Sequence, residues 1–321
     1  MLQSILVLLV GFALLIKGAD YLVTGSVSLA RKYKVSNLVI GLTIVGFGTS
    51  APELAVNLTS ALSGSTDLAI GNIIGSNIAN VFLILGICAI IYPLTVKRNT
   101  IWKEIPLSLL AAVITVVLAN DVFFDGGIGS SWNVLSRIDG LVLLSFFIIF
   151  MYYIFGISKE TDMDDSVEYV HLGKYKMWSY ILGGLAALVI GGKWIVESAV
   201  FIAAHIGMSE SVIGLTIVAV GTSLPELAAS AVAAYRKETD IAVGNIVGSN
   251  IFNIFWILGL SAVISPLPLQ HDAFIDLEFL VFSSLLLFIF LFVGEKEKIE
   301  RRQGVLFLCI YAFYISTFWL R

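Results

Sequence analysis

Charge and reactive side chains are scarce in this chain. Only 13% of its 321 residues are Asp, Glu, Lys or Arg, 58% are hydrophobic, and the mean hydropathy is +0.96. That balance excludes an ordinary soluble domain. Cysteine is nearly missing. Cys88 and Cys309 lie singly in apolar stretches, which excludes a disulfide framework and a thiolate metal centre and leaves two packing residues. The three histidines, His171, His205 and His271, are scattered, and there is no H-E-x-x-H, so zinc ligands are not present as a set. Nor does an activating base accompany the Ser and Thr residues, as an intramembrane hydrolase would require. The net charge of −4 is too small to point to nucleic acid. The N-terminus shows neither a basic leader nor a credible cleavage site, so its first apolar run is expected to be retained as a helix.

What is present is apolar sequence of spanning length, over and over. Ten spans are predicted, at roughly 3–30, 37–62, 68–92, 101–119, 137–157, 177–203, 210–235, 241–265, 273–293 and 303–320. Short polar segments separate them. The most polar, 158–176, holds Lys159, Glu160, Asp162, Asp164, Asp165 and Glu168 and reads as a solvated connector; it lacks the glycine and ligand spacing of a calcium loop. It divides the chain into a first half, 1–157, and a second half, 177–321. Fifteen of the 19 Lys and Arg residues fall in the connections after spans 1, 3, 5, 7 and 9. Positive-inside bias then places those connections in the cytoplasm and both termini outside, in a multi-pass protein of the cell (inner or plasma) membrane. Five spans per half is an odd number, so the second half enters the bilayer from the opposite side. The expected fold class is an all-α polytopic membrane protein of ten transmembrane helices in two inverted five-helix repeats.

A duplication coincides with those halves. Residues 41–94 align without a gap on 214–267 at a constant offset of 173, and 32 of the 54 positions are identical. The first copy carries G-T-S-A-P-E-L (Gly48 to Leu54) and G-N-I-I-G-S-N-I-A-N (Gly71 to Asn80). The second carries G-T-S-L-P-E-L (Gly221 to Leu227) and G-N-I-V-G-S-N-I-F-N (Gly244 to Asn253). Duplicated polar cassettes in a membrane protein build one site from two halves, and inverted halves can alternate between two arrangements open to opposite sides. Glu53 and Glu226 are therefore the first candidates to carry the function.

Mid-span prolines have a definite effect. Pro52 offers no N–H to the carbonyl of Gly48 and crowds it, and Pro225 does the same to Gly221. Carbonyls freed within a bilayer persist only where protein, water or an ion satisfies them. A kinked helix packed on its neighbours would meet that condition, yet the same turn also holds hydroxyls and a carboxylate, twice. Thr49 and Glu53, Thr222 and Glu226, Ser76 and Asn80, and Ser249 and Asn253 are each four apart, hence on one helix face. Carboxylate, hydroxyl, amide and carbonyl oxygens suit Ca²⁺ and Na⁺, not soft metals. Two ionised glutamates carry −2, which one Ca²⁺ neutralises. Several Na⁺ could replace it, and ions competing for the same carboxylates are obliged to exchange.

At these residues the chain resembles the sodium/calcium exchangers of the cation/calcium exchanger superfamily, minimal prokaryotic type. The paired G-T-S-x-P-E and G-S-N-x-x-N elements are similar to that family's two α-repeats. The resemblance implies ion ligands at Thr49, Ser50, Glu53, Ser76 and Asn80 in one half and Thr222, Ser223, Glu226, Ser249 and Asn253 in the other. Main-chain oxygens of Gly46 and Ala219 would lie nearby. It also implies secondary antiport driven by a sodium gradient, electrogenic, with Na⁺ and Ca²⁺ as substrates, no cofactor and no obligate protein partner. Some members carry aspartate where this chain has Asn253; asparagine resembles the potassium-independent members and leaves the site one negative charge short of that pattern. The resemblance further implies that spans 1 and 6 move together across the core. The charges within them, Lys17 with Asp20 and Lys193 with Glu197, are expected to be local ion pairs. A proton-coupled calcium antiporter is the nearest rival. A passive channel is disfavoured by the inverted repeat and by the absence of an obvious pore-lining ring.

Overall fold

The computed structural model describes residues 2–124, 133–158, 172–206 and 219–317. Most of the predicted connector (159–171), positions 207–218 at the start of the predicted seventh span, and residues 1 and 318–321 lie outside that description. Helix dominates, because an apolar run in a bilayer must satisfy its own N–H and C=O groups. In chain order the helices are α1 (Leu2–Tyr33), α2 (Asn37–Thr49), α3 (Ala51–Ser63), α4 (Thr66–Ile91), α5 (Arg98–Leu118) and the short α6 (Asp121–Phe124). Then come α7 (Arg137–Ile157), α8 (Lys174–His205), the three-residue α9 (Ala219–Gly221), α10 (Leu224–Tyr235), α11 (Thr239–Ile264), α12 (His271–Phe290) and α13 (Arg301–Thr317). Among the described residues seven helices are long and apolar enough to cross a membrane, or eight if the bent pair α2–α3 forms one span. These eight correspond to the predicted spans 1–6, 8 and 9. The predicted seventh span is represented by α9 and α10, and the tenth by the 17 described residues of α13.

The two cassette helices sit at the centre. In α4 and α11, 78% and 83% of the apolar window is buried inside the protein, against 22–39% in the other spanning helices. Those outer helices turn Leu6, Leu9, Phe12, Ile148, Tyr152, Phe155 and Leu182 outward, as a lipid-facing surface requires. Outside the core, α1 and α8 pack antiparallel along their length: Gly11 lies on Gly191, Gly18 on Gly184, and Gly25 on Met177 and Ile181. A Cβ on Gly184 would stand 2.7 Å from the carbonyl oxygen of Gly18 and 2.7 Å from the amide nitrogen of Leu22. Only glycine admits that backbone approach, which supplies the packing that lipid-solvated helices otherwise lack. At 32 residues each, both helices are about 48 Å long and must tilt to fit a bilayer.

The halves are interlocked at both ends. Strand β1 (Leu94–Thr95), which follows α4, pairs antiparallel with β4 (Lys298–Ile299), which precedes α13. Strand β2 (Val134–Leu135), which precedes α7, pairs with β3 (Leu267–Pro268), which follows α11. The repeat offset carries Leu94–Thr95 onto Leu267–Pro268, so the strands after the two cassette helices clip α4 to α13 and α11 to α7. One charge expectation fails. Asp20 turns away from Lys17 and pairs with Arg236 at the end of α10, whose guanidinium also donates to Thr24 Oγ1 at 2.6 Å. Arginine's forked donors reach two oxygens at once, which an i,i+3 lysine cannot match. The Lys193–Glu197 pair forms as expected, at 3.7 Å and exposed. The α1/α8 pair thus leans on α10, whereas α8 makes no comparable contact with α3.

Candidate cation site

Both GTSxPE turns break their helices, and that places the carboxylates. Ser50, with φ −80° and ψ 8°, separates α2 from α3, and the two axes differ by 46°. Thr49 and Glu53 therefore stand on two helix pieces, not on the single face that their spacing predicts. In the second copy, Thr222 and Ser223 form the turn between α9 and α10. Pro52 and Pro225 are second residues of α3 and α10, where a missing N–H costs nothing. Glu53 and Glu226 fall in the first turn of these new helices, at the positive end of the helix dipole. A wider π-helical turn adds to the irregularity at Gly41–Val45, Asn80–Leu85 and Phe252–Leu258. Such turns are frequent at functional sites. Asn80 opens one of them and Asn253 lies in another.

Both glutamates are 1% exposed. Glu53 Oε1 accepts from Ser76 Oγ at 3.4 Å and from Ser223 Oγ at 3.4 Å, and Thr222 faces the same carboxylate. Glu226 Oε1 accepts from Ser50 Oγ at 3.0 Å, with Thr49 and Ser249 beside it. The offset of 173 converts one set into the other: Ser76 to Ser249, Thr49 to Thr222, Ser50 to Ser223. Each carboxylate is thus served by one hydroxyl residue of its own repeat and two of the other. Gly46 O accepts from Ser249 Oγ and from Thr49 Oγ1, both at 3.3 Å. Ala219, its counterpart, begins α9.

Among the described residues, four buried oxygens in this region have no hydrogen-bond partner: Glu53 Oε2, Glu226 Oε2, Asn80 Oδ1 and Asn253 Oδ1. An acceptor buried unsatisfied costs about 1–3 kcal/mol, and more when charged. Here there are four, two on carboxylates, within one duplicated cluster. A hard cation would remove the cost, and the donor set (carboxylate, hydroxyl, amide, carbonyl) fits Ca²⁺ or Na⁺. All twelve sequence candidates fall on the breaks in spans 2 and 7 or on α4 and α11 beside them.

Several asparagines that sequence reasoning passed over belong to the same cluster. Asn77, Asn245 and Asn250 are buried, and Asn72 is half-buried. Thr222 Oγ1 donates to Asn72 Oδ1 at 3.3 Å, and Thr49 Oγ1 donates to Asn245 Oδ1 at 3.1 Å. Asn80 Nδ2 donates to Asn250 Oδ1 and Asn253 Nδ2 to Asn77 Oδ1, both at 2.9 Å. These bonds are again repeat-related pairs. The available signal was identity: Asn72 equals Asn245 and Asn77 equals Asn250 across the copies.

Broken spans, central half-helix N-termini and a buried oxygen cluster drawn from both repeats define a multi-pass helical ion transporter. The comparisons give the family. The model of the family described as sodium/calcium exchanger protein matches residues 3–156 and 176–320. The chain belongs to the sodium/calcium exchanger family, and its activity is cation/Ca²⁺ antiport. It is 37% identical to a protein named putative antiporter CaxA of Alkalimonas amylolytica, over 98% of both chains. It is 33% identical to sodium/calcium exchanger MaX1 of Methanosarcina acetivorans, over 99% of both. A structure of the sodium-calcium exchanger NCX_Mj, soaked with 2.5 mM Na⁺ and 0.1 mM Ca²⁺, superposes with a TM-score of 0.82 at 35% identity, covering 98% of each chain.

Proposed function

We propose that this chain exchanges Na⁺ for Ca²⁺ across the membrane by alternating access, moves net charge and needs no K⁺. The observation that carries this reading is the pair of buried carboxylates, each with one unpartnered oxygen, fed by hydroxyls from both repeats. Glu53 and Glu226 neutralise one Ca²⁺. Thr49, Ser50, Ser76, Thr222, Ser223 and Ser249, the amide oxygens of Asn80 and Asn253, and main-chain oxygens at Gly46 and Ala219 complete the ligand set for Ca²⁺ or for Na⁺. Asn253 keeps the site at two carboxylates, so three Na⁺ leave it positive where one Ca²⁺ leaves it neutral. That difference is the source of the current.

The membrane arrangement in this reading is ten spans in two inverted halves, 1–157 and 177–321, joined by a cytoplasmic linker at 158–176, with both termini outside. The antiparallel course of α1 and α8 supports it, since the two halves then begin in opposite directions. The crossed strand pairs, one drawn from each half, support it as well.

Uptake of ⁴⁵Ca²⁺ into proteoliposomes tests the coupling. An outward Na⁺ gradient should drive uptake, a pH gradient should not, K⁺ should make no difference, and clamping the voltage should change the rate. Uptake driven by the pH gradient alone, or dependent on K⁺, overturns the assignment. Orientation has its own test in a background without Cys88 and Cys309. Single cysteines at Lys97, Lys174 and Lys237 should label with an impermeant thiol reagent from the side opposite the termini, and same-side labelling would reject inversion.

A further inference from the structure

The site oxygens are useful to a cation only if they point lone pairs, not protons, at it. A threonine hydroxyl has one proton, and an asparagine amide can be turned either way round. Something must decide both. The geometry points to Asn57, Asn72, Asn77 and Asn245 as positioning residues that transmit the polarity of a fixed backbone carbonyl to the ligands Thr222, Asn253 and Thr49. The inference rests on the ion-site reading above and adds residues to it.

Three relays can be followed link by link. In the first, Asn57 Nδ2 donates to the carbonyl of Ala69 at 3.0 Å. A carbonyl only accepts, so the Asn57 amide cannot be reversed and its Oδ1 faces Asn72, whose Nδ2 donates to it at 2.6 Å. Asn72 Oδ1 is then presented as an acceptor to the Thr222 hydroxyl at 3.3 Å, beside the Glu53 carboxylate that Thr222 also faces, so that Thr222 has only acceptors for its one proton. The lone pairs of Thr222 are left for the site. In the second relay Asn245 Nδ2 donates to the carbonyl of Glu226 at 3.3 Å and to Ser230 Oγ at 2.8 Å. Its Oδ1 accepts from Thr49 Oγ1 at 3.1 Å; the other groups Thr49 faces, Gly46 O at 3.3 Å and the Glu226 carboxylate, are acceptors too. In the third, Asn77 Nδ2 donates to the carbonyl of Asn250 at 3.1 Å. Asn77 Oδ1 therefore takes the Nδ2 of Asn253 at 2.9 Å, and Asn253 Oδ1, which has no protein partner, is the atom left to face a cation.

Two features separate this from ordinary packing. Every relay begins on a main-chain acceptor, so the polarity follows from the backbone and a reversed amide would set oxygen against oxygen. The first and second relays also end on repeat-related links, Asn72 with Thr222 and Asn245 with Thr49, although their backbone anchors and one side-chain partner differ. Where the first half has Asn57, the second has Ser230, and each offers an acceptor oxygen to the next amide. Shape differs between these residues while the hydrogen-bond role is kept.

That substitution within the chain supplies the test. Asn57→Leu keeps the approximate size and removes the acceptor; Asn57→Ser installs the group that position 230 already uses. Ca²⁺ affinity of the purified, detergent-solubilised chain is measured by ⁴⁵Ca²⁺ equilibrium binding, with Na⁺ competition and the ion-free melting temperature recorded alongside. Asn57→Leu should weaken Ca²⁺ binding about tenfold, the scale of one lost buried hydrogen bond. Asn57→Ser should restore binding to within about threefold of the native chain, the residue of a slightly longer link. Asn77→Leu cuts a separate relay and should weaken binding similarly, so it stands in if Asn57→Leu does not fold. Native-like affinity in whichever of these Leu variants folds, or a serine variant as weak as Asn57→Leu with the same ion-free melting temperature, overturns the relay. Failure of the native chain itself to bind Ca²⁺ would instead overturn the ion-site reading.

Discussion

Glu53 and Glu226 hold the charge of the cluster, and each divides its two oxygens between protein and cavity. The Oε1 atoms are occupied by serine hydroxyls, while both Oε2 atoms are without a hydrogen-bond partner among the described residues. Replacing either carboxylate by its amide keeps the serine bond and removes half the charge that would face a cation. Charge-assisted contacts of this kind are worth about 1.5–3 kcal/mol, or roughly ten- to a hundredfold in affinity. Glu53→Gln and Glu226→Gln should each lose Ca²⁺ affinity on that scale and abolish exchange while the protein still inserts and folds. Reconstituted ⁴⁵Ca²⁺ uptake, with size-exclusion chromatography to check folding, measures both. Near-native uptake by either variant would remove that glutamate from the site.

Helices matter here mainly where they stop being regular. The breaks at Ser50 and Thr222–Ser223 begin new helices at the residues that need support. Glu53 and Glu226 gain a dipole, and Pro52 and Pro225 become helix starts instead of interior faults. Regularity is retained where two helices must act as one body. The α1/α8 seam is built on glycines meeting backbone to backbone, and a side chain there has no place to go. Gly184→Val should cost about 1–3 kcal/mol by overpacking, seen as a lower melting temperature in detergent. Gly183 is the control, since no described atom lies within 4 Å of where its Cβ would stand. Gly183→Ala should melt like the native protein; equal losses at 183 and 184 would mean that the seam is not the cause.

Across the whole molecule the repeats are chemically alike but not equivalently packed. The α1/α8 pair lies along α10 and is tied to it by Asp20, Thr24 and Arg236, while the repeat counterparts make no such bond: Lys193 is exposed and paired only locally. Alternation between two sides, as proposed, requires this packing to be exchanged for its repeat-related equivalent, so the Asp20–Arg236 contact must open in each cycle. Asp20→Cys with Arg236→Cys, in a chain lacking Cys88 and Cys309, can be joined by a short bifunctional thiol reagent. Joining should arrest Na⁺-dependent Ca²⁺ uptake, and a reducible cross-linker should allow its recovery on reduction. Full uptake by a quantitatively cross-linked sample would show that α1 does not leave α10.

Much of this was determined by the sequence itself, for a physical reason. Length and apolarity are read directly by a bilayer, so eight spans could be placed from hydropathy, and a gap-free duplication marked the residues that carry polar chemistry inside them. Thr49 and Glu53 do not share the face that i,i+4 spacing predicts, because spacing assumes an unbroken helix and the break at Ser50 depends on what packs around it. Spacing pairs Asp20 with Lys17 because sequence sees only near neighbours, whereas its partner Arg236 is 216 positions away. Asn72, Asn77, Asn245 and Asn250 stood in the repeat without an evident task. Only the packing of α4 and α11 against each other and against the two broken spans brings their amides to Thr222, Asn253, Thr49 and Asn80. The sequence determined which oxygens the membrane would contain; the tertiary structure decided which way each one points, because a hydrogen bond's direction is settled by a partner that the chain order does not name.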